Sequence, residues 1–288
     1  MDASKIKLYL KLMRLHRPIG ILLLLWPTLW ALWLSSQGHP DTRVLIIFVL
    51  GVVIMRSAGC VINDYLDRDI DPYVKRTLDR PLATGAVSPN EALILFAILI
   101  GMAVILVAFL DWKTIALAAV GLVLAVIYPR MKRLIYLPQG FLGLAFGWGI
   151  PMAYMAQTGT VPRLAWLLYV ATIFWVIAYD SIYAIPDKED DVRIGIKSSV
   201  ILFDDLDTTI IMALQLAFLA TMVMLGKQLE MGLYYYMGLV LSALLFAYQH
   251  YLIRDRSAEN CQKAFVNNHW VGTIIFVGIY LQSMIGQA

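Results

Sequence analysis

Apolar residues run along this chain in long, nearly unbroken blocks, and the polar residues collect in the gaps between them. The blocks span 19–36, 44–61, 92–110, 114–128, 137–155, 164–182, 208–225, 231–253 and 269–285. Each reaches or approaches the roughly 17–25 residues that carry a helix across a bilayer. No period-2 alternation interrupts them, and a hydrocarbon core offers no partner to a free backbone amide, so each block predicts a helix rather than a strand. The fourth block is the shortest. The pattern therefore predicts an all-α, polytopic membrane protein of about nine transmembrane helices, with residues 1–288 forming a single domain.

Composition sharpens this picture. Of 288 residues 60% are apolar and only 15% charged, and the mean hydropathy is +0.73, values that exclude a soluble globular protein. A basic N-terminal stretch before an apolar run can mark a secretory leader. Here the run is too long, no A-x-A site follows Leu34, and eight further blocks come after it.

Charge sets the expected orientation. With the N-terminus cytoplasmic, the inner segments 1–18, 62–91, 129–136, 183–207 and 254–268 hold 18 of the 23 Lys and Arg residues. The outer connectors hold only Arg43, Lys113, Arg163 and Lys227. This positive-inside bias puts the C-terminus outside. Cys60 and Cys261 then fall at the inner, reducing side and are expected as free thiols. The four histidines lack ligand spacing, which argues against zinc.

Two inner segments, 62–91 and 183–207, are long and rich in both Asp and basic residues, and long connections in a compact domain tend to be functional. The first carries Asn63-Asp64-x-x-Asp67-x-x-x-Asp71, the second Asp180-x-x-Tyr183-x-x-x-Asp187-x-x-x-Asp191. Asn63, Asp67 and Asp71 map onto Tyr183, Asp187 and Asp191 at one offset of 120 residues. We read this as a weak internal repeat relating helices 2–3 to helices 6–7.

Residues four apart on a helix share a face, so Asp67 and Asp71 would project together, as would Asp187 and Asp191. Like charges so placed repel, which suggests a cation between them. Mg²⁺ suits best: it takes oxygen ligands and is held by one or two carboxylates together with substrate phosphates. Neither cluster has the Gly and terminal Glu of a calcium-binding EF-hand. Basic residues flank the clusters: Arg68, Lys75, Arg76 and Arg80 in the first segment, Lys188, Arg193 and Lys197 in the second, and Arg130, Lys132 and Arg133 between them. Acid beside base at one face is what a Mg²⁺–diphosphate requires. Arg56 lies inside the second block, where a charge costs at least about 2.5–3.5 kcal/mol. It reads either as a clamp for a substrate carboxylate or as a residue that snorkels or pairs with a cluster Asp. Gly143–Gly147 fits close helix packing, and Pro186 predicts a break just before Asp187.

The first Asp motif, followed by Val74-Lys75-Arg76-Thr77 and Asp79-Arg80-Pro81-Leu82, resembles the first signature of the UbiA superfamily of intramembrane prenyltransferases. The Asp180–Asp191 series resembles the second. The likeness covers essentially the whole chain, including Arg14-x-x-x-Pro18-Ile19-Gly20 and Trp26-Pro27-Thr28, and is greatest to bacterial members that prenylate 4-hydroxybenzoate on the way to ubiquinone. The resemblance implies nine helices around a central cavity in the bacterial inner membrane, with the Asp motifs at the cytoplasmic mouth. It implies polyprenyl diphosphate and 4-hydroxybenzoate as substrates, and no nucleic-acid partner. Carried over by motif position, Asp67, Asp71, Asp187 and Asp191 would bind two Mg²⁺ ions on the diphosphate, with Asn63 assisting. Lys75, Arg76, Lys132, Arg133 and Lys197 would contact phosphate, and Arg56 would face the aromatic carboxylate. Tyr183 or Tyr65 would steady an allylic cation and Asp191 would polarise or deprotonate the phenol. Relatives with naphthoate, homogentisate, haem or chlorophyllide as acceptor remain open readings. So does a polytopic transporter, although the acidic residues gather at one face rather than through the depth of the bundle.

Overall fold

Helices begin where the polar gaps supply caps. The computed structural model describes residues 3–74 and 77–285, the side chains of Ala3 and Lys132 excepted, and the described residues are α-helical apart from short turns. Asp41 accepts a hydrogen bond from the Val44 amide at 2.9 Å and starts α3 (Thr42–Asp67). Ser88 and Glu91 cap each other's backbone to start α4 (Pro89–Val107), and Asp111 accepts from the Lys113 and Thr114 amides to start α5 (Trp112–Leu134). Each cap satisfies amide donors that have no partner within the helix.

Before them come α1 (Ala3–Leu12) and α2 (Ile19–Ser35). After them come α6 (Pro138–Gly147), α7 (Gly149–Thr158), α8 (Arg163–Ala184), α9 (Lys188–Ile194), α10 (Ser199–Phe203), α11 (Asp207–Gln228), α12 (Leu233–Leu252) and α13 (Ala258–Ile285). Among the described residues seven helical stretches are long and apolar enough to cross a membrane, and α2 is a shorter apolar helix. The block expected at 114–128 is a full-length helix, because α5 starts at Trp112 and runs on through the basic residues after Pro129 to Leu134. The block expected at 137–155 is two ten-residue helices meeting at Trp148, whose indole donates to the Leu117 carbonyl of α5 at 2.7 Å. Beside that break, a Cβ on Gly149 would lie 2.7 Å from Thr28 Oγ1. The small helix α1 carried no signal in the block pattern. It lays Leu8 and Leu12 against Ala58 and Val61 of α3, and its Lys5 pairs with Glu91 of α4.

The core forms around α8, two-thirds of whose span is buried, whereas α4 and α5 are about one-tenth buried and present Ile98, Ile105, Val120 and Val123 outward. Trp30 of α2, Trp175 of α8 and Phe218 of α11 pack ring on ring, with centroids 5.3–6.3 Å apart, a geometry that stabilises beyond area burial alone. Where lipid removes the hydrophobic drive between helices, small residues permit close approach. Gly143 and Gly147 of α6 do this against Ile173 and Tyr169 of α8. Gly238 of α12 meets Gly278 of α13 in the same way.

Candidate functional site

α3 ends at Asp67, so its last turn carries Asn63, Asp64 and Asp67. A helix C-terminus bears partial negative charge and free carbonyls, and carboxylates added there favour a cation nearby. Asp71 does not continue that helix, contrary to the shared face expected from its spacing. The chain turns at Arg68–Ile70, and Asp71 opens a short 3₁₀ turn with Pro72.

Tertiary contacts bring Asp71 back. The Arg80 guanidinium donates to both Asp71 oxygens at 2.9 and 2.8 Å and lies 3.0 Å from Asp64 Oδ1. Asp64 also accepts from Arg14 at 2.9 and 3.2 Å. Thr77 Oγ1 donates to the Asp71 carbonyl at 2.7 Å. Asp64, Asp67 and Asp71 are all buried. Burial pushes the Asp71 carboxyl above the usual carboxylate range; Arg80 opposes this, while Asp64 and Asp67 add to it. Asp64 is thus a site residue to which sequence reasoning gave no role, and Arg80, read there only as one of the flanking cations, is the one that holds Asp71.

The second segment is bent as Pro186 predicts. α8 passes into a 3₁₀ turn, Ile185–Asp187, and then into the short α9 that carries Asp191. Two of the flanking cations turn elsewhere: Lys188 pairs with Asp204 at 2.9 Å and Arg193 with Asp190 at 3.3 Å.

Both segments open on one cavity of about 1460 Å³. Asn63, Asp67, Asp71, Tyr183, Asp187 and Asp191 line it, and Lys197 does so as well. From this polar end the cavity runs to Ile100, Val104 and Val107 of α4 and Ile115, Ala119 and Leu122 of α5. Among the described residues no three carboxylate, His or Cys side chains converge closely enough to hold a metal ion by themselves. The donor set nevertheless suits Mg²⁺, which needs few protein ligands when phosphate and water complete its shell. Arg80 occupies one lone pair on each Asp71 oxygen and leaves others for a cation.

Several expected contacts differ. Arg133 does not line the cavity; it donates to the Leu66 carbonyl at 2.8 Å and lies 4.0 Å from Asp67 Oδ1, so it ties α5 to the end of α3. Lys197 Nζ donates to the Leu134 carbonyl at 2.9 Å and sits 5.0 Å from the Tyr136 ring centroid. Tyr65 lies outside the cavity, under the Arg68 guanidinium at 4.7 Å, because it packs into the apolar cluster that α3 forms with α1 and α4. Lys75, Arg76 and the Lys132 side chain lie outside the described residues.

Arg56 lines the deeper part of the cavity and forms no ion pair with any described carboxylate, so the pairing expected as one alternative is absent among the described residues. Its Nη1 donates to Cys60 Sγ at 3.1 Å, its guanidinium lies 5.5 Å from the Phe146 ring centroid, and its Nε is buried without a hydrogen-bond partner. Tyr128, Tyr179 and Tyr183 stand within its electrostatic reach. Tyr128 and Tyr179 also line the cavity, and no sequence pattern singled them out.

The UbiA prenyltransferase family profile matches residues 24–272. A protein of Hahella chejuensis called 4-hydroxybenzoate octaprenyltransferase is 54% identical over 97% of this chain and 93% of its own length. One of Aliivibrio fischeri with the same name is 55% identical over 97% and 98%. Among solved structures, the apo form of a UbiA homolog from Aeropyrum pernix K1 superposes with a TM-score of 0.80 at 26% identity, covering 90% of this chain and 97% of that one. A UbiA homolog from Archaeoglobus fulgidus bound to GPP and Mg²⁺ shares the fold, with a TM-score of 0.70 at 18% identity over 93% and 99%.

Proposed function

The chain belongs to the UbiA prenyltransferase family, and from that premise we infer that it transfers a long polyprenyl group from polyprenyl diphosphate to the ring carbon ortho to the hydroxyl of 4-hydroxybenzoate, a step of ubiquinone biosynthesis in the bacterial inner membrane. The acceptor is taken from full-length relatives at more than half identity. The observation that carries the mechanism is the meeting of two Asp-bearing segments, 120 residues apart in sequence, on a single cavity that also holds Arg56.

In this reading α2 to α5 and α6 to α13 form one nine-crossing bundle, α6 and α7 making one crossing between them, with the N-terminus cytoplasmic and the C-terminus outside. The internal repeat extends further than the motifs. The starts of α2, α3, α4 and α5 recur at α6, α8, α11 and α12 after 118–121 residues, which leaves α13 as the odd helix.

Asp67, Asp71, Asp187 and Asp191, with Asn63 beside them, would hold Mg²⁺ at the mouth. Bound there, the ion supplies Lewis-acid neutralisation of the diphosphate. Asp64 and Arg80 keep Asp71 at the rim, and Lys197 adds positive charge there. As the allylic C–O bond breaks, charge moves onto the departing diphosphate and a cation is left on the prenyl chain. The Tyr183 ring face at the cavity wall stabilises such a cation. Arg56 holds the acceptor's carboxylate, presenting the ring carbon beside the phenol to the cation. Asp191 polarises or deprotonates the phenol, and loss of the ring proton after the cation has added restores aromaticity. The apolar end between α4 and α5 receives the prenyl tail, each buried CH₂ contributing about 0.8 kcal/mol.

The test is transfer of radiolabel from polyprenyl diphosphate into an extractable aromatic product by purified protein. Activity should vanish with EDTA and return with Mg²⁺, and Asp67→Ala and Asp187→Ala should each abolish it while the protein still folds. Metal-independent turnover, or solute flux in liposomes without any prenyl diphosphate, would overturn the assignment.

A further inference from the structure

Tyr179 is one of the polar side chains on the cavity wall that the steps above leave unused. Its ring is fixed on two sides, edge-on to Trp175 with centroids 5.4 Å apart and to Phe265 at 5.9 Å, and the residue is 1% exposed. Its hydroxyl is buried and has no hydrogen-bond partner. An unmade hydrogen bond of that kind costs about 1–3 kcal/mol and calls for an explanation. Tyr154 carries a similar orphan hydroxyl but does not line the cavity. Tyr179 does line it, as do Arg56, whose Nε is also buried without a partner, and Ser198, whose hydroxyl is too.

A neutral O–H and a cationic guanidinium, carried by two residues of one cavity wall and each with a buried donor left over, fit an anion with two acceptor oxygens on a planar group. Arg56 stands about three helical turns below Asp67, too deep to share the diphosphate with the carboxylates at the mouth. We propose that Tyr179 is the second donor of the acceptor subsite: its hydroxyl binds one oxygen of the aromatic carboxylate while Arg56 binds the other, and together they select carboxylated acceptors over neutral ones. This rests on the function inferred above and adds a specificity-determining residue to it.

The experiment compares the full-length protein with Tyr179→Phe, using 4-hydroxybenzoate and the neutral 4-methylphenol, which has no acceptor oxygen in place of the carboxylate, as substrates or competitive inhibitors. Removing a hydroxyl that has no partner leaves the unliganded protein at least as stable, so its thermal midpoint should not fall. KM for 4-hydroxybenzoate should rise roughly tenfold or more, the loss expected for a hydrogen bond to a charged group. The kcat, the KM for prenyl diphosphate and the constant for the methylphenol should stay as they were. An unchanged KM for 4-hydroxybenzoate, or equal losses for the acid and the methylphenol, in a protein that does carry out transfer would overturn the inference and leave the function standing. Absence of transfer by the unmodified protein would overturn both.

Discussion

At Gly20 the missing side chain is what leaves room for the Arg56 guanidinium: a Cβ placed there falls 2.6 Å from both Nε and Nη2. The guanidinium is the far end of a flexible chain, so Gly20→Ala moves Arg56 rather than unfolding the bundle. We expect the acceptor's KM to rise by about tenfold, with the KM for prenyl diphosphate and the thermal midpoint little changed. A lowered midpoint with both KM values intact would mean that Gly20 serves packing alone. The motif Arg14-x-x-x-Pro18-Ile19-Gly20 carried a family likeness in the sequence. Its reasons emerge only in three dimensions, where Arg14 holds Asp64 and Gly20 admits Arg56. The charge of Arg56 within an apolar block was legible from sequence, because an intramembrane cation is costly wherever it occurs. Tyr179 was not, since one tyrosine among apolar neighbours looks the same whether or not its hydroxyl finds a partner.

At the level of elements, Arg80 ties the segment between α3 and α4 to the last turn of α3. Arg80 reaches both Asp64 in the last turn of α3 and Asp71 beyond it, and all three side chains are largely buried. Arg80→Leu leaves Asp71 without its guanidinium and Asp64 with Arg14 alone. Breaking a buried pair in this way costs about 3–5 kcal/mol, so the thermal midpoint in detergent should fall and prenyl transfer should be lost. A midpoint within experimental scatter of the parent protein would show that the segment is held by other contacts. Spacing predicted that Asp67 and Asp71 share a helical face, and that failed because the helix stops at Asp67. Their convergence survives through Arg80, a contact across nine residues that helical periodicity does not encode. The break at Pro186 was legible because proline lacks the amide a helix interior needs. The break at Trp148 between α6 and α7 was missed although Pro151, which has no amide for the Gly147 carbonyl, marks it in the same way; the Leu117 carbonyl and the close approach of Thr28 to Gly149, which lie in α5 and α2, were not legible.

For the whole molecule, the charge distribution makes a directional claim that labelling can check. In intact cells a membrane-impermeant thiol reagent should modify Thr160→Cys, in the exposed turn after α7, and should reach Ala86→Cys, before α4, only after the membrane is opened. Both positions are exposed. The reverse pattern would place the Asp motifs on the wrong side of the lipid for a cytoplasmic diphosphate. The sequence by itself determined the class of the protein, the blocks that became its helices and the residue types at the mouth, because hydropathy, capping and charge are local properties that act through the bilayer and the backbone alone. Only the tertiary structure decided which of those residues face one another. Arg133 braces α3 instead of lining the cavity, Tyr65 packs with α1 and α4, and Asp64 is taken up by two arginines, because the direction of a side chain depends on what packs against its helix. That information lies in segments distant along the chain.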